Sequence, residues 1–358
     1  MKTADFNYEL PPDLIAQAPP PCREDARMLV LDRLTGAIQH KGIRDLPGFL
    51  RPEDVLVLND TRVIPARLFG NKEGSGGRVE VLLLEEEAPG LWLAIFKTAG
   101  HPQPGARFRL GRGRILGELL QREPGGRAHL KLTADGSLLE ALEAEGLPPL
   151  PPYIRRPRGT PPSGDSLLAS DKERYQTVYA RAAGSVAAPT AGLHLTHALL
   201  DAVRAKGADT AAVTLHVGMG TFKPISSETL DGHVMHEERY EVPESTADRL
   251  NRARRAGGRL IPVGTTSARV LETVTDEQGV VHAGSGRTRL FIRPPYRFKA
   301  VDAMLTNFHL PQSTLLVMIC TLAGRDAVLN AYAEAVRERY RFFSYGDCML
   351  ITGLFSER

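Results

Sequence analysis

Five consecutive pieces decide the fold: RLFGNKE (67–73), GRVEVLLLEE (77–86), LWLAIFKTA (91–99), ARFRLGRGRILGELL (106–120) and RAHLKLTA (127–134). They are β-rich, are separated by Gly and Pro, and have no convincing helical stretch between them. A strand-only run of this kind reads as a small antiparallel barrel inserted into something larger. On its N-terminal side, RMLVLD (27–32) and DVLVL (54–58) are short apolar runs bounded by turn residues, as buried strands are. After Tyr153, helix and strand alternate. Thr196 caps a helix whose inner face is Leu195, Leu199 and Val203, with Gly207 as its stop. A strand is expected over 210–217, then a helix over 245–255 with Ala247, Leu250 and Ala253 inside. Further strands are expected over 259–263, 288–292 and 348–351, and further helices over 267–274, 314–323 and 326–340. The expected architecture is a large mixed α/β domain, discontinuous over 1–65 and 153–358, with a barrel domain inserted over 66–152.

Composition agrees with two globular domains: 358 residues, 42% hydrophobic and 24% charged. Cys22, Cys320 and Cys348 lie far apart and form no C-x-x-C pair, so no zinc site is expected and a reducing cytoplasm is the natural compartment. The N-terminus shows no apolar secretory stretch, and Asn307, His309, Pro311, Gln312 and Ser313 interrupt the longest uncharged run, so no membrane span is expected. Net charge is +3, and the basic excess peaks in LPPLPPYIRRPRGTPPSG (147–164). There Arg155, Arg156 and Arg158 sit in stiff, extended backbone; an RNA-facing strap and a solvated linker both fit.

Polar residues gather with glycine in the loops between elements. Ala188–His194 (APTAGLH) offers Thr190, Gly192 and His194 before a helix, where free N–H groups hold anions. TLHVGMGTF (214–222) places His216 at a strand end and Gly218 and Gly220 in the turn, and it lacks the third glycine of a dinucleotide fingerprint. In GTTSAR (264–269), Thr265, Thr266, Ser267 and Arg269 at a helix start suit a carboxylate or phosphate; plain N-capping is the competing reading. LTNFHLP (305–311) carries Asn307 and His309, and the latter's apolar neighbours Phe308 and Leu310 favour a neutral imidazole. His233, His236 and Glu237 have H-x-x-H-E spacing, not the H-E-x-x-H that aligns two metal ligands on a helix, and no metal is expected. No G-x-S-x-G occurs, and Cys348 reads as a small buried residue.

DFNYELPPDLIAQAP (5–19), VLVLNDTRVIPARLFG (55–70), RYQTVYA (174–180), GSVAAPTAGLHLT (184–196), TLHVGMGTF, HVMHEERY (233–240), GTTSARVLE (264–272), LTNFHLPQSTLL (305–316) and RFFSYGDCMLI (341–351) follow one another along almost the whole chain. In that order they resemble the S-adenosylmethionine:tRNA ribosyltransferase-isomerase family of queuosine biosynthesis. Leu195, Ala268, Pro295 and Cys348 stand where that family usually has Phe, Val, Gly and Ala. The resemblance implies an α/β domain with a six-stranded antiparallel β-barrel. It also implies transfer of the ribosyl part of S-adenosylmethionine to 7-aminomethyl-7-deazaguanine at the tRNA wobble position, with isomerisation to epoxyqueuosine and release of adenine and methionine. S-adenosylmethionine is then a consumed substrate, with no other cofactor, and tRNA is the partner of a monomeric, cytoplasmic enzyme.

Such chemistry needs a base for the incoming amine, a base for the carbon beside the sulfonium, and a proton or hydrogen bond for departing adenine. His194, His216, His236 and His309, with Asp60 and Glu237, are the candidates for these roles. Tyr345 and Asp347 join Thr190, Gly192, Gly218, Gly220, Thr265, Thr266, Ser267, Arg269 and Asn307 as candidate substrate-binding residues, Asp347 as an acceptor for the deazaguanine edge. Two other classes fit less well. A noncatalytic RNA-binding module would show stacking aromatics on a basic sheet, yet aromatics are only 6%; a nicotinamide oxidoreductase would show G-x-G-x-x-G.

Overall fold

The computed structural model describes residues 1–156, 166–218 and 224–353; Arg158 and Gly220 lie outside them. The middle of the chain closes into a barrel of six strands in the order Arg127–Ala134, Leu91–Thr98, Arg78–Ala88, Arg67–Lys72, Arg107–Leu110 and Ile115–Arg122. Every neighbouring pair is antiparallel. The period-2 pattern explains the closure: Val79, Val81 and Leu83, and across from them Trp92, Ala94 and Phe96, point into a shared core while their neighbours face out. Gly70 sits where two strands cross so closely that a Cβ would lie 1.9 Å from the Arg109 carbonyl oxygen.

The body contains two main sheets. In the first, Leu260–Pro262, Val55–Asn59 and Asp209–Leu215 run parallel, and Glu238–Val242 and Gly284–Thr288 extend it antiparallel. In the second, Cys348–Thr352 pairs parallel with Arg27–Asp32, flanked by Met304–Asn307 and Ile38–Gly42. A parallel bridge between Val263 and Leu305 joins the two edge to edge. Val55–Asn59 and Cys348–Thr352 are buried along their whole length, as strands covered on both faces must be. Helix His197–Ala205 is capped by Thr196, whose hydroxyl accepts from the Leu199 N–H, and Glu244–Arg255 buries Ala247, Leu250 and Ala253.

One strand differs from the sequence expectation. The β segment is Gly284–Thr288, with Val242 opposite Gly284 and Glu238 opposite Thr288; the more apolar 289–292 runs past the sheet and packs Ile292 into the core. Hydrophobicity marked burial there, not pairing. Among the described residues no single helix is long and apolar enough to cross a membrane; Thr314–Ala323 and Arg325–Arg337 meet at 115° and pack into the core.

Candidate active site

The three parallel strands of the first sheet end together, and in such sheets the crevice beyond the carboxyl ends is where ligands bind. Asn59, at the end of Val55–Asn59, ties the neighbouring ends: its Nδ2 donates to the Leu215 carbonyl (3.0 Å) and Thr266 Oγ1 (3.2 Å), and its Oδ1 accepts from Leu215 and Thr61 N–H groups. Gly264 follows Leu260–Pro262 with φ +88°, a left-handed conformation that glycine adopts without strain. It turns the chain into helix Thr265–Val274, which no side chain caps among the described residues, so the first N–H groups of that helix and its dipole are left to the loop cluster. The Gly264 N–H donates to the Leu305 carbonyl (2.7 Å), bringing Thr306–His309 alongside.

These loops enclose a small pocket of about 50 Å³, walled by Thr190, Thr265, Thr266, Asn307 and His309, with Tyr153, Leu315 and Phe343 on its apolar side. Phe343 has φ +71°, a strained conformation for a bulky residue of the kind that concentrates at functional sites. Asn307 is 3% exposed. Its Nδ2 donates to the Phe343 carbonyl (2.9 Å) and His194 Nε2 (3.3 Å), which fixes the amide orientation, while its Oδ1 has no partner among the described residues. A buried acceptor of this kind costs about 1–3 kcal/mol while unpaired, and a bound donor would relieve it. His309 is locked by Thr306 Oγ1 on Nε2 (2.8 Å), by the Tyr332 hydroxyl at its backbone N–H, and by the Tyr8 hydroxyl at its carbonyl. Burial lowers its pKa to about 3, so it is a neutral hydrogen-bonding group and a weak base.

A second, larger cleft of about 340 Å³ opens between barrel and body, and Val217 lines both spaces. His216, Gly218, Glu237 and Glu238 line it from the body, Trp92 and Glu85 from the barrel. His216 Nδ1 lies 2.9 Å from Thr61 Oγ1, which also reaches the Ala182 carbonyl at 3.4 Å, while Nε2 makes no hydrogen bond among the described residues. Burial, then the charge of Arg239, lowers the His216 pKa, so the imidazole is neutral near pH 7. Gly184 packs flush against this ring, its Cβ position 3.1 Å from the imidazole.

Several candidates hold the scaffold together instead of facing a ligand. Arg269 is buried and paired with Glu238, whose other oxygen accepts from the Gly218 N–H (3.1 Å); its charge is spent inside the protein. Ser267 back-bonds to the Val263 carbonyl. At Gly192 a Cβ would lie 2.0 Å from the Tyr179 hydroxyl, so packing alone demands glycine. His194 is buried behind Asn307, its pKa lowered to about 4 by burial and by Arg341 and Arg23. Asp60 holds Thr214 Oγ1 (2.6 Å) and Arg181 (2.8 Å).

The Asp347 oxygens accept from the Arg27 and Arg341 N–H groups, and the Tyr345 hydroxyl donates to Asp171 (2.9 Å). His236 is exposed, and Glu237 pairs with Arg287 and Arg289. In the strap, Arg155 is exposed, but Arg156 is clamped by buried Asp171 (2.6 Å), so the segment is pinned to the body at that point. Glu238 and Asn59 were not singled out from sequence. Glu238 opens strand Glu238–Val242 and is buried while Glu237 just before it is exposed, and Asn59 stands beside Asp60 in a motif whose carboxylate drew attention first.

A family model described as queuosine biosynthesis protein matches residues 3–351. A relative from Acetivibrio thermocellus, an S-adenosylmethionine:tRNA ribosyltransferase-isomerase, is 49% identical over 351 residues, covering 98% of this chain and all of the relative. One of the same name from Syntrophotalea carbinolica is 50% identical over 354 residues, again covering 98% and 100%. The crystal structure of S-adenosylmethionine tRNA ribosyltransferase from Thermotoga maritima is 35% identical, with TM-score 0.54, and the match covers 97% of this chain and 99% of that one.

Proposed function

This chain belongs to the queuosine biosynthesis protein family, and from that premise we infer that it is an S-adenosylmethionine:tRNA ribosyltransferase-isomerase. It transfers the ribosyl group of S-adenosylmethionine to 7-aminomethyl-7-deazaguanine at the tRNA wobble position and isomerises it, giving epoxyqueuosine-tRNA, adenine and methionine. S-adenosylmethionine is a co-substrate consumed in the reaction, and in our reading the enzyme works as a cytoplasmic monomer.

The observation that carries the site assignment is that, among the described residues, Asn307 Oδ1 has no partner and no side chain caps the adjacent start of helix Thr265–Val274. An amino-acid head has one carboxylate and one ammonium. The helix N–H groups with Thr265, Thr266 and Thr190 suit the carboxylate, and Asn307 Oδ1 suits the ammonium. The roughly 50 Å³ of space is too small for the whole of S-adenosylmethionine, so the ribosyl and adenine parts lie outside this pocket. His309, neutral and fixed, donates or accepts a hydrogen bond there without changing charge. His216 is our candidate base for the acceptor amine: half-buried, neutral near pH 7, with Nε2 making no hydrogen bond among the described residues. The test is incubation with S-adenosylmethionine and tRNA carrying the aminomethyl-deazaguanine, followed by mass spectrometry of the nucleosides. Ribosyl transfer with release of adenine is the expected result, and a methylated nucleoside would overturn the reading.

A further inference from the structure

We propose that the cleft between barrel and body is the receptor for the flipped-out wobble base, with Trp92 as a specificity-determining residue. This rests on the reading above, in which the acceptor is a deazaguanine carried by tRNA. An enzyme that modifies a base in an RNA loop must take that base out of its stack and hold it in a pocket. The cleft has the size for it: about 340 Å³ lies at the low end of the ~300–1,000 Å³ typical of small-molecule sites. Ile64, Leu84 and Leu142 give it apolar walls for a flat heterocycle.

Its carboxylates narrow the choice of occupant. Glu85, Glu86, Glu237 and Glu238 all line this one cleft; Glu85 and Glu237 pair with Arg287 and Glu238 with Arg269, so the lining offers acceptor oxygens for a ligand rich in N–H donors more than a net negative charge. A guanine-type edge presents a ring N–H and an amino group side by side, which match a carboxylate, and the aminomethyl arm is cationic when free. Adenine, the other purine in the reaction, has one amino group and no charge. Glu238 is 4% exposed and its two oxygens already pair with Arg269 and the Gly218 N–H, so it holds the cleft wall in place.

Trp92 supplies the complementary donor. It lines the cleft at 6% exposure, and its indole N–H has no acceptor among the described residues. The ring carbonyl of a deazaguanine is an acceptor of the right kind. The location also serves the chemistry, because Val217 separates this cleft from the pocket assigned to the amino-acid head, and His216 stands next to it. Arg239, exposed on the wall, puts a cation at the cleft that can meet a nucleotide's phosphate.

Trp92 is the only tryptophan in the chain, so its fluorescence reports on this cleft alone. The probes are an anticodon stem-loop with 7-aminomethyl-7-deazaguanine at the wobble position, the same stem-loop with an abasic wobble position, and S-adenosylmethionine. We expect a saturable change in emission with the first and little with the other two. The same change with S-adenosylmethionine alone, or no difference between the stem-loops, overturns the proposal. Ala183→Phe gives a second arm: Ala183 is exposed on the cleft wall, so the ring fills the space while sparing the core. KM for tRNA should rise at least about tenfold with KM for S-adenosylmethionine unchanged; no rise, or an equal rise in both, refutes the assignment. If the stem-loops are distinguished but wild type transfers no ribosyl group, the cleft stands and the assigned reaction falls; if transfer proceeds and both arms fail, only the cleft assignment falls.

Discussion

Replacing Asn307 by Ala should weaken S-adenosylmethionine binding in addition to a loss of similar size in the fold. In the free protein the substitution removes the Nδ2 bonds to the Phe343 carbonyl and His194 Nε2, leaving two buried acceptors at about 1–3 kcal/mol each. It also removes the unpaired Oδ1, which relieves a penalty of the same size, so the net loss is about 1–3 kcal/mol. In the complex the variant further lacks the hydrogen bond from the substrate ammonium. Bonds to charged groups contribute about 1.5–3 kcal/mol, and tenfold in affinity corresponds to about 1.4 kcal/mol, so Kd should rise by about 10- to 150-fold. Thermal unfolding with and without S-adenosylmethionine separates the two effects, because ligand stabilisation depends on the ratio of concentration to Kd. At a concentration that stabilises wild type, the variant should melt slightly lower alone and gain little from ligand. An equal ligand-induced shift in both proteins would reduce Asn307 to a strut between Phe343 and His194, and the assignment of the pocket would fail.

His216→Gln should lower turnover by about 10²- to 10⁴-fold with little change in KM for S-adenosylmethionine, and the acid limb of the wild-type pH–rate profile, placed below pH 6.5 by the lowered pKa, should disappear; unchanged turnover removes His216 from the mechanism. Arg156→Ala should destabilise the protein by about 3–5 kcal/mol in denaturant titrations, because it strands Asp171 in the interior. The salt dependence of tRNA binding should stay the same; a flatter slope would restore Arg156 to the RNA surface. His194 and His309, at about 4 and 3, have folded pKa values below the ordinary 6.5, so the unfolded chain binds protons that the folded one does not. Their contribution is complete above about pH 6.5 and is lost as pH falls through 4 and then 3; denaturant midpoints should drop over that window, and less steeply in a His194→Gln/His309→Gln variant.

The sequence alone determined what depends on local pattern. The barrel strands were legible because alternation such as that of Leu91–Thr98 survives only when one face is buried, and helix His197–Ala205 because its cap and its stop are both local. Glu238–Val242 and Met304–Asn307 were not. The first reads ERYEV, too charged to suggest a sheet interior, and the second is four residues long and buried throughout, so neither shows a period. The loops that form the site were legible as clusters of Thr, His, Asn and Gly, yet which of their members face a ligand was decided in three dimensions. Glu237 and Glu238 are chemically identical neighbours; the register that sets Glu238 opposite Thr288 buries one against Arg269 and leaves the other at the surface. Asp347, Tyr345 and Arg156 looked like binding groups until their partners, 320, 174 and 15 residues away along the chain, were brought within hydrogen-bonding distance. A side chain's chemistry is local, but whether it is already satisfied depends on long-range pairing, and only the tertiary structure contains that.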